Sequence, residues 1–464
     1  MGSVRNAFTI RTLRRKFLLR KAEVRRACFR AKRDAWREFV TEVGNNDPWS
    51  SVYRWAKSGG KRPSTELPAS IRKLDESFTS SLRETDENPL EQLVLEDSER
   101  NESAEQMAVR RETGVSVGSF APVRPGLTPS GHPVKLCDTD EVKAALWRIE
   151  SNKAAGLDGI TLRILKQAWP VLAEPITHAF NCALRFRVIP STWKDAALVV
   201  IRKGPGKDPM EAKSYRPISL LPALAKMLEG IIVARIRTDT DSRMSARQYG
   251  FTKNRSTVDA IDRVLGWTVE RTEKYVLGIF LEITGAFDCL WWPRFIKKMQ
   301  SNGCSDGLID LTKSYLDGRQ AHISRCPQGS QFGPDLWKQA MNPLLSDELT
   351  VGTEIVAYAD DLAILVAGKY RRELTERANK MLERARQWAN ERKLSFSTAK
   401  TQTLWLKGSL TPQKPLDLRI GELKVKMTPT AKYLGDTFDQ KRTFMNHLAE
   451  KRATQWGYTV GYYL

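Results

Sequence analysis

Apolar positions along this chain follow two periods, and each predicts a different kind of element. In residues 11–39, Leu13, Phe17, Val24, Cys28, Ala31, Ala35 and Phe39 recur at spacings of three, four or seven. No proline or glycine interrupts them, so the spacing predicts a helix with one apolar face. Residues 373–393 show the same helical period in Leu374, Ala378, Met381, Leu382, Ala385, Trp388 and Ala389. Asp138, three residues ahead of Glu141, resembles a helix N-cap, which would put Val142, Ala145, Leu146 and Ile149 on a common face. Short continuous apolar runs at 197–201, 276–281 and 355–358 predict strands instead. The mixture predicts an α+β fold in which helices cover one face of a sheet.

Patterning is weak between 59 and 137, where Ser, Glu, Asp and Pro become frequent, as in Glu84-Thr85-Asp86-Glu87-Asn88-Pro89. That composition predicts an acidic, Ser/Pro-rich linker, largely disordered or loosely helical. The chain therefore divides into a basic helical segment (1–58), this linker (59–137) and two patterned regions (138–275 and 276–440), with a short remainder (441–464). A length of 464 residues suits two to four domains, taking about 100–200 residues for each.

Charge sharpens the picture. The chain carries 75 Lys and Arg against 54 Asp and Glu, a net of +21, and thirteen of those cations against three acids lie in the first forty residues. Such an excess calls for a polyanionic partner, nucleic acid first and an anionic membrane second, with a merely soluble basic protein as the plain alternative. The basic helix would lie against nucleic acid or present a solvated charged face. Six cysteines stand singly and four histidines are dispersed, so neither a zinc site nor a disulfide framework is expected, and an intracellular, reducing compartment fits. No apolar stretch approaches the roughly 18 residues that span a bilayer, and the start of the chain lacks a signal-peptide pattern.

The chemistry concentrates in a few segments. Residues 354–366 place two β-prone runs around Asp360-Asp361, which reads as a hairpin with adjacent acids at its turn. Adjacent carboxylates repel one another, and a divalent cation relieves that repulsion. Mg²⁺ suits such a tip because it takes one or two carboxylates and leaves room for substrate phosphates. An ordinary acidic surface turn is the alternative. The run at 276–281 continues into Glu282, a second source of a carboxylate, or simply a core strand with one solvated acid. Two-metal phosphoryl transfer needs carboxylates converging from separate strands on ions roughly 3.5–4 Å apart. Pro327-Gln328-Gly329-Ser330 lies between these segments, and at Gly329 backbone can approach a base pair closely; a plain loop before a helix is the competing reading.

Taken in order, Ala286-Phe287-Asp288, Pro327-Gln328-Gly329-Ser330 and Tyr358-Ala359-Asp360-Asp361 resemble the palm motifs of reverse transcriptases. Lys153 to Ile160, Ser214 to Leu221 and Gln248 to Thr257 resemble the finger elements of the non-LTR retrotransposon, LINE-like branch. Ala399-Lys400-Thr401 and Lys432-Tyr433-Leu434-Gly435 are similar to the later palm motifs. Leu290-Trp291-Trp292-Pro293 is similar to insect elements that insert into fixed chromosomal repeats.

The resemblance implies a right-hand polymerase, with fingers over 138–275, a palm over 276–440, and a partial or missing thumb starting at 441. It implies an RNA-directed DNA polymerase using two Mg²⁺ ions, or Mn²⁺ in their place, with RNA template, DNA primer or target DNA, and dNTPs as partners. Target-primed synthesis would put it in the nucleus. Asp360 and Asp361 would hold metal together with Glu282, and Lys400 would protonate the pyrophosphate. Lys203 and Arg216 would touch the triphosphate, and Gln328 and Gly329 would line the nascent base pair. Phe287 would exclude a ribose 2′-hydroxyl, which disfavours an RNA polymerase, and Tyr433, Leu434 and Gly435 would support the primer end.

The sequence departs from the family in its first palm acid, Glu282 standing where the family has aspartate. An added methylene moves the carboxylate outward, and Mg²⁺ tolerates displacement poorly. The segment 321–326 is also shorter than usual, the chain stops soon after the primer-support motif, and no endonuclease segment or Cys/His knuckle flanks the polymerase. These departures lead to the expectation of reduced activity in a fragment or decaying copy. A catalytically dead nucleic-acid-binding relic is the rival reading.

Overall fold

The computed structural model describes residues 70–73, 75–80, 102–116, 119–120, 134–203, 208–284, 290–317, 330–397, 400–408 and 416–440. Its centre is an antiparallel sheet of four strands in the order β6-β7-β5-β8, formed by β5 (Tyr275–Glu282), β6 (Thr353–Tyr358), β7 (Asp361–Gly368) and β8 (Gln402–Lys407).

Buried residues run without a break through β5, β6 and β7, because both faces of the sheet are covered. Leu277, Ile279, Leu281, Leu362, Ile364 and Val366 point to one face. They pack with helices α4 (Ala223–Thr240), α8 (Phe332–Ser346) and α9 (Arg371–Asn390). Val276, Phe280, Val356, Ala363 and Leu365 point to the other face. There they meet Ala260, Val264 and Trp267 of α5 (Thr257–Glu270), and Ala431, Tyr433 and Phe438 of the hairpin β11 (Thr430–Tyr433) and β12 (Asp436–Asp439). The expectation that helices cover one face is therefore corrected. The second face is not open, and that is why the strands read as continuous apolar runs rather than as alternation.

The predicted helical face of 373–393 is found in α9, where Leu374, Ala378, Met381, Leu382, Ala385, Trp388 and Ala389 are all buried. Asp138 caps α2 (Thr139–Arg148), its carboxylate accepting from the Glu141 N–H at 2.8 Å, with Val142, Ala145 and Leu146 buried behind it. After α3 (Leu162–Phe186), the strands β3 (Ala197–Arg202) and β4 (Tyr215–Leu220) pair as a separate two-stranded sheet, as do the short strands β1 (Val115–Ser116) with β2 (Ser119–Phe120) and β9 (Arg419–Ile420) with β10 (Leu423–Lys424). Helices α6 (Trp292–Ser301) and α7 (Asp306–Leu316) lie between the sheet strands β5 and β6 in sequence.

Within the span expected to be a linker, Ala104–Thr113 forms helix α1. Ser103 and Gln106 make a reciprocal capping box at its start, and Gly114 ends it in the left-handed region at φ +66°. Helix α1 packs on α6. Arg110 and Lys393 both lie by the buried Trp291 ring, at 5.9 and 5.3 Å from its centroid, and the fully buried Glu102 carboxylate pairs with both cations. Arg294 pairs with Glu105 at 3.4 Å and Lys297 with Glu112 at 2.6 Å. Charge pairing and one indole therefore supply what apolar periodicity does not. The basic helix at 11–39, Phe287, Gln328, Gly329, the short 321–326 segment and the region 441–464 lie outside the described residues. Among the described residues, no helix is long and apolar enough to cross a membrane.

Candidate active site

The acidic hairpin is tight. Tyr358 pairs with Asp361, so Ala359 and Asp360 alone make the turn between β6 and β7. Ala359 sits at φ +57°, a left-handed conformation that costs an L-residue roughly 1–2 kcal/mol. Asp361 opens β7 and is the direct cross-strand partner of Glu282, the last residue of β5. Directly opposed residues in an antiparallel pair lie about 4.5–5.5 Å apart at Cα. The topology thus brings three carboxylates from two distant stretches of chain to one end of the sheet. The Ile283 N–H donates to the Asp360 carbonyl at 3.4 Å, and the Ser397 N–H to the Glu282 carbonyl at 2.9 Å, tying both neighbouring segments to that end.

Electrostatics follows from this crowding. Burial, then repulsion from Asp360 and Glu282, pushes the Asp361 carboxyl up to about 7, against an opposing pull from Lys400. The Asp360 carboxyl is also raised, by burial first and by Glu282, while Arg216 and Lys400 draw it down. Lys400 forms an ion pair with Glu282. Carboxyls held above their ordinary range by burial and mutual repulsion are the donor set a divalent cation stabilises. Among the described residues, no three acidic, His or Cys side chains enclose an ion by themselves. The arrangement fits an open shell, in which Mg²⁺ takes one or two carboxylates and completes its coordination with phosphate oxygens and water.

The other sequence-predicted residues distribute as follows. Arg216 is exposed on β4, and its charge reaches Asp360. Lys203 is exposed just past the end of β3, held to the same hairpin by its N–H donating to the Ser214 carbonyl at 2.8 Å. Leu434 and Gly435 form the β11–β12 turn at φ +54° and +86°. Tyr433 packs against Phe280 at 5.3 Å between ring centroids and donates to the Val356 carbonyl at 3.3 Å. Burial raises its phenol well above the ordinary value, with the Asp361 charge adding to the effect.

Three residues around the turn carried no role in the sequence reading. The Gln248 side-chain oxygen accepts from the Ala359 N–H at 3.3 Å and the Gly250 N–H at 3.0 Å. The Trp337 indole N–H donates to the Ala359 carbonyl at 2.8 Å. A Cβ on Gly250 would lie 2.1 Å from the Ala359 nitrogen. Beside β6, Arg247, Arg255 and Arg263 line a groove with Tyr249 and Glu354, and Glu354 pairs with Arg247 at 3.0 Å and also with Arg263. Three guanidinium groups against one carboxylate leave that groove positive.

The sequence profile of a family described as "Reverse transcriptase (RNA-dependent DNA polymerase)" matches residues 201–438. The chain is 31% identical over 443 residues to the 115 kDa protein in type-1 retrotransposable element R1DM of Drosophila melanogaster, covering 92% of this chain and 40% of that protein. It is 30% identical over 448 residues to the retrovirus-related Pol polyprotein from type-1 retrotransposable element R1 of Bradysia coprophila, covering 93% and 42%. Identity to the RNA-directed DNA polymerase from mobile element jockey of Drosophila melanogaster is 31% over 342 residues, covering 68% of this chain and 36% of that protein. The chain thus spans about two fifths of the length of these curated relatives.

Proposed function

We propose, because this chain belongs to the reverse transcriptase family, that it is the RNA-directed DNA polymerase part of a non-LTR retrotransposon, weakened by Glu282. The observation that carries the reading is the register of β5 against β7, which sets Glu282 opposite Asp361 and beside Asp360. Mg²⁺, when bound, would favour the primer 3′-alkoxide and neutralise the departing pyrophosphate. Asp360 and Asp361 hold the metal, with Glu282 as the third acid. Arg216 and Lys203 bind the incoming triphosphate as cations on an exposed hairpin. Lys400 gives its proton to the pyrophosphate oxygen. The hairpin carrying Tyr433, Leu434 and Gly435 supports the primer end. Phe287, Gln328 and Gly329 would act as sugar gate and base-pair lining. RNA template, DNA primer or target DNA, and dNTPs are the partners, and target-primed synthesis would take place in the nucleus. The positive groove at Arg247, Arg255 and Arg263 suits a nucleic-acid backbone.

A second reading, a nucleic-acid-binding relic without turnover, is favoured by one observation: the Glu282 carboxylate is already engaged in an ion pair with Lys400. Primer extension on an RNA template with dNTPs decides between them. Polymerisation should be slow with Mg²⁺, faster with Mn²⁺, and abolished in Asp360→Ala. Incorporation that Asp360→Ala leaves intact, or salt-dependent binding with no incorporation in either metal, would overturn the polymerase reading.

A further inference from the structure

Adjacent acids at a strained turn are useful only if something keeps the turn in place. Ala359 is the strained residue, at φ +57° with a side chain where glycine is the usual choice. Its two peptide groups face different elements. The N–H donates to Gln248 at 3.3 Å, and the carbonyl accepts from Trp337 at 2.8 Å. We propose that Gln248 and Trp337 are positioning residues that clamp the Ala359 peptide from opposite ends, and so fix Asp360 for metal binding. This rests on the polymerase reading of the same site.

Several features support the clamp over incidental contact. Gln248 is 5% exposed and Trp337 is 0% exposed, so the fold encloses both side chains that reach the half-buried Ala359. The chain around Gln248 is itself held to the edge of the sheet. Tyr249 N–H donates to the Ala357 carbonyl at 2.8 Å, and Ala357 N–H to the Arg247 carbonyl at 3.0 Å. Gly250 then passes so close to the turn that a Cβ would meet the Ala359 nitrogen at 2.1 Å and the Tyr358 carbonyl carbon at 2.9 Å. Both groups facing the Gln248 side-chain oxygen are N–H donors, so its oxygen must face them. That choice strands the Gln248 side-chain nitrogen, which is buried without a hydrogen-bond partner. An unpartnered buried donor is costly, and its presence marks the acceptor as the group the fold uses. On the other side, Trp337 sits in α8, so the clamp also links that helix to the acidic turn.

Loss of a residue that orients a metal ligand weakens metal affinity or activity about 10–100-fold. The test uses the full chain with Gln248→Met and Trp337→Phe, each keeping a side chain of similar shape while removing one bond to Ala359. Hydrogen exchange resolved to single residues should show the Ala359 amide exchanging at least about tenfold faster in Gln248→Met. The amides of Val356 and Leu362 in the flanking strands should be unchanged. Mn²⁺ titration followed by electron paramagnetic resonance should show weaker binding in both variants, by about tenfold or more, with Asp360→Asn as the reference for a lost ligand. Primer extension should show a fall in kcat with little change in KM for dNTP. Unchanged Ala359 exchange in Gln248→Met would overturn the proposal, as would wild-type Mn²⁺ affinity in both variants while Asp360→Asn loses it. If Asp360→Asn leaves Mn²⁺ binding untouched, the metal reading of the site fails, and the exchange result alone still decides whether the clamp exists.

Discussion

Replacing Asp361 with asparagine should stabilise the metal-free protein while removing its activity. The ordinary carboxyl value is 3.8, and burial with two acidic neighbours lifts Asp361 to about 7. A raised carboxyl means the folded chain holds a proton that the unfolded chain has released. Stability is therefore unaffected below about pH 4, falls as pH rises through the window from about 4 to about 7, and stays low above it. A gap of that size corresponds to about 4 kcal/mol for a fully buried group. Asp361 is half-buried, and solvent screening reduces the expected cost at pH 8 to about 2 kcal/mol. Asp360, raised in the same direction, acts over the same side of the pH scale. Thermal melting in EDTA should put Asp361→Asn a few degrees above wild type at pH 8, with most of that advantage gone at pH 5. Mg²⁺ at pH 8 should raise the wild-type midpoint and leave the variant unmoved, because the ion binds the ionised form. A variant melting at or below wild type at pH 8 in EDTA, or an advantage equal at both pH values, would refute the argument.

Glu282→Asp withdraws the carboxylate by one methylene, away from Lys400 and toward the Asp361 register. Incorporation with Mg²⁺ should rise about 10–100-fold, or about 1.4–2.8 kcal/mol at the transition state, and a primer-extension time course showing no gain removes Glu282 geometry as the cause of low activity. Gly250→Ala forces backbone, not a flexible side chain, to move at Ala359, so kcat should fall at least about tenfold and the fold should lose about 1–3 kcal/mol by urea denaturation. Trp291→Ala empties the socket between Arg110 and Lys393; about 3–5 kcal/mol is at stake, and limited trypsin digestion should cut α1 before any other described helix.

How much of this was legible beforehand varied with the kind of force involved. Helix α9 was readable because burial alone selects its apolar stripe. The hairpin at Asp360-Asp361 was readable because two β-prone runs around a polar break have few other solutions. Asp361 itself proved to be the first residue of β7 rather than part of the turn. Coverage of the sheet's second face was missed, although the unbroken apolar runs at 276–281 and 355–358 carried that signal. Helix α1 was missed because its docking depends on Glu102, Arg110 and Trp291, charges and an indole that have no period. The Ser103–Gln106 spacing was a capping signal that could have revealed its start. Trp337 left no mark in the sequence, and Gln248 was marked only as the start of a finger-like segment, since a side chain bonding to distant backbone imposes no spacing on its neighbours. Gly250 belonged to a segment singled out by resemblance, but only the fold shows what presses against it.

The socket at Trp291 also bears on how this protein can be handled at the bench. A recombinant piece trimmed to the family-matched span, 201–438, would begin after α1, α2 and α3. It would carry Met227, Leu308 and Ile309 without Leu146, Phe180 and Leu184, which share their core, and Trp291 without Arg110 beside it. Exposed apolar area of that kind drives aggregation. A soluble preparation therefore needs to start upstream of Glu102, and the poor behaviour of a shorter one would reflect its missing neighbours rather than any defect in the polymerase sheet.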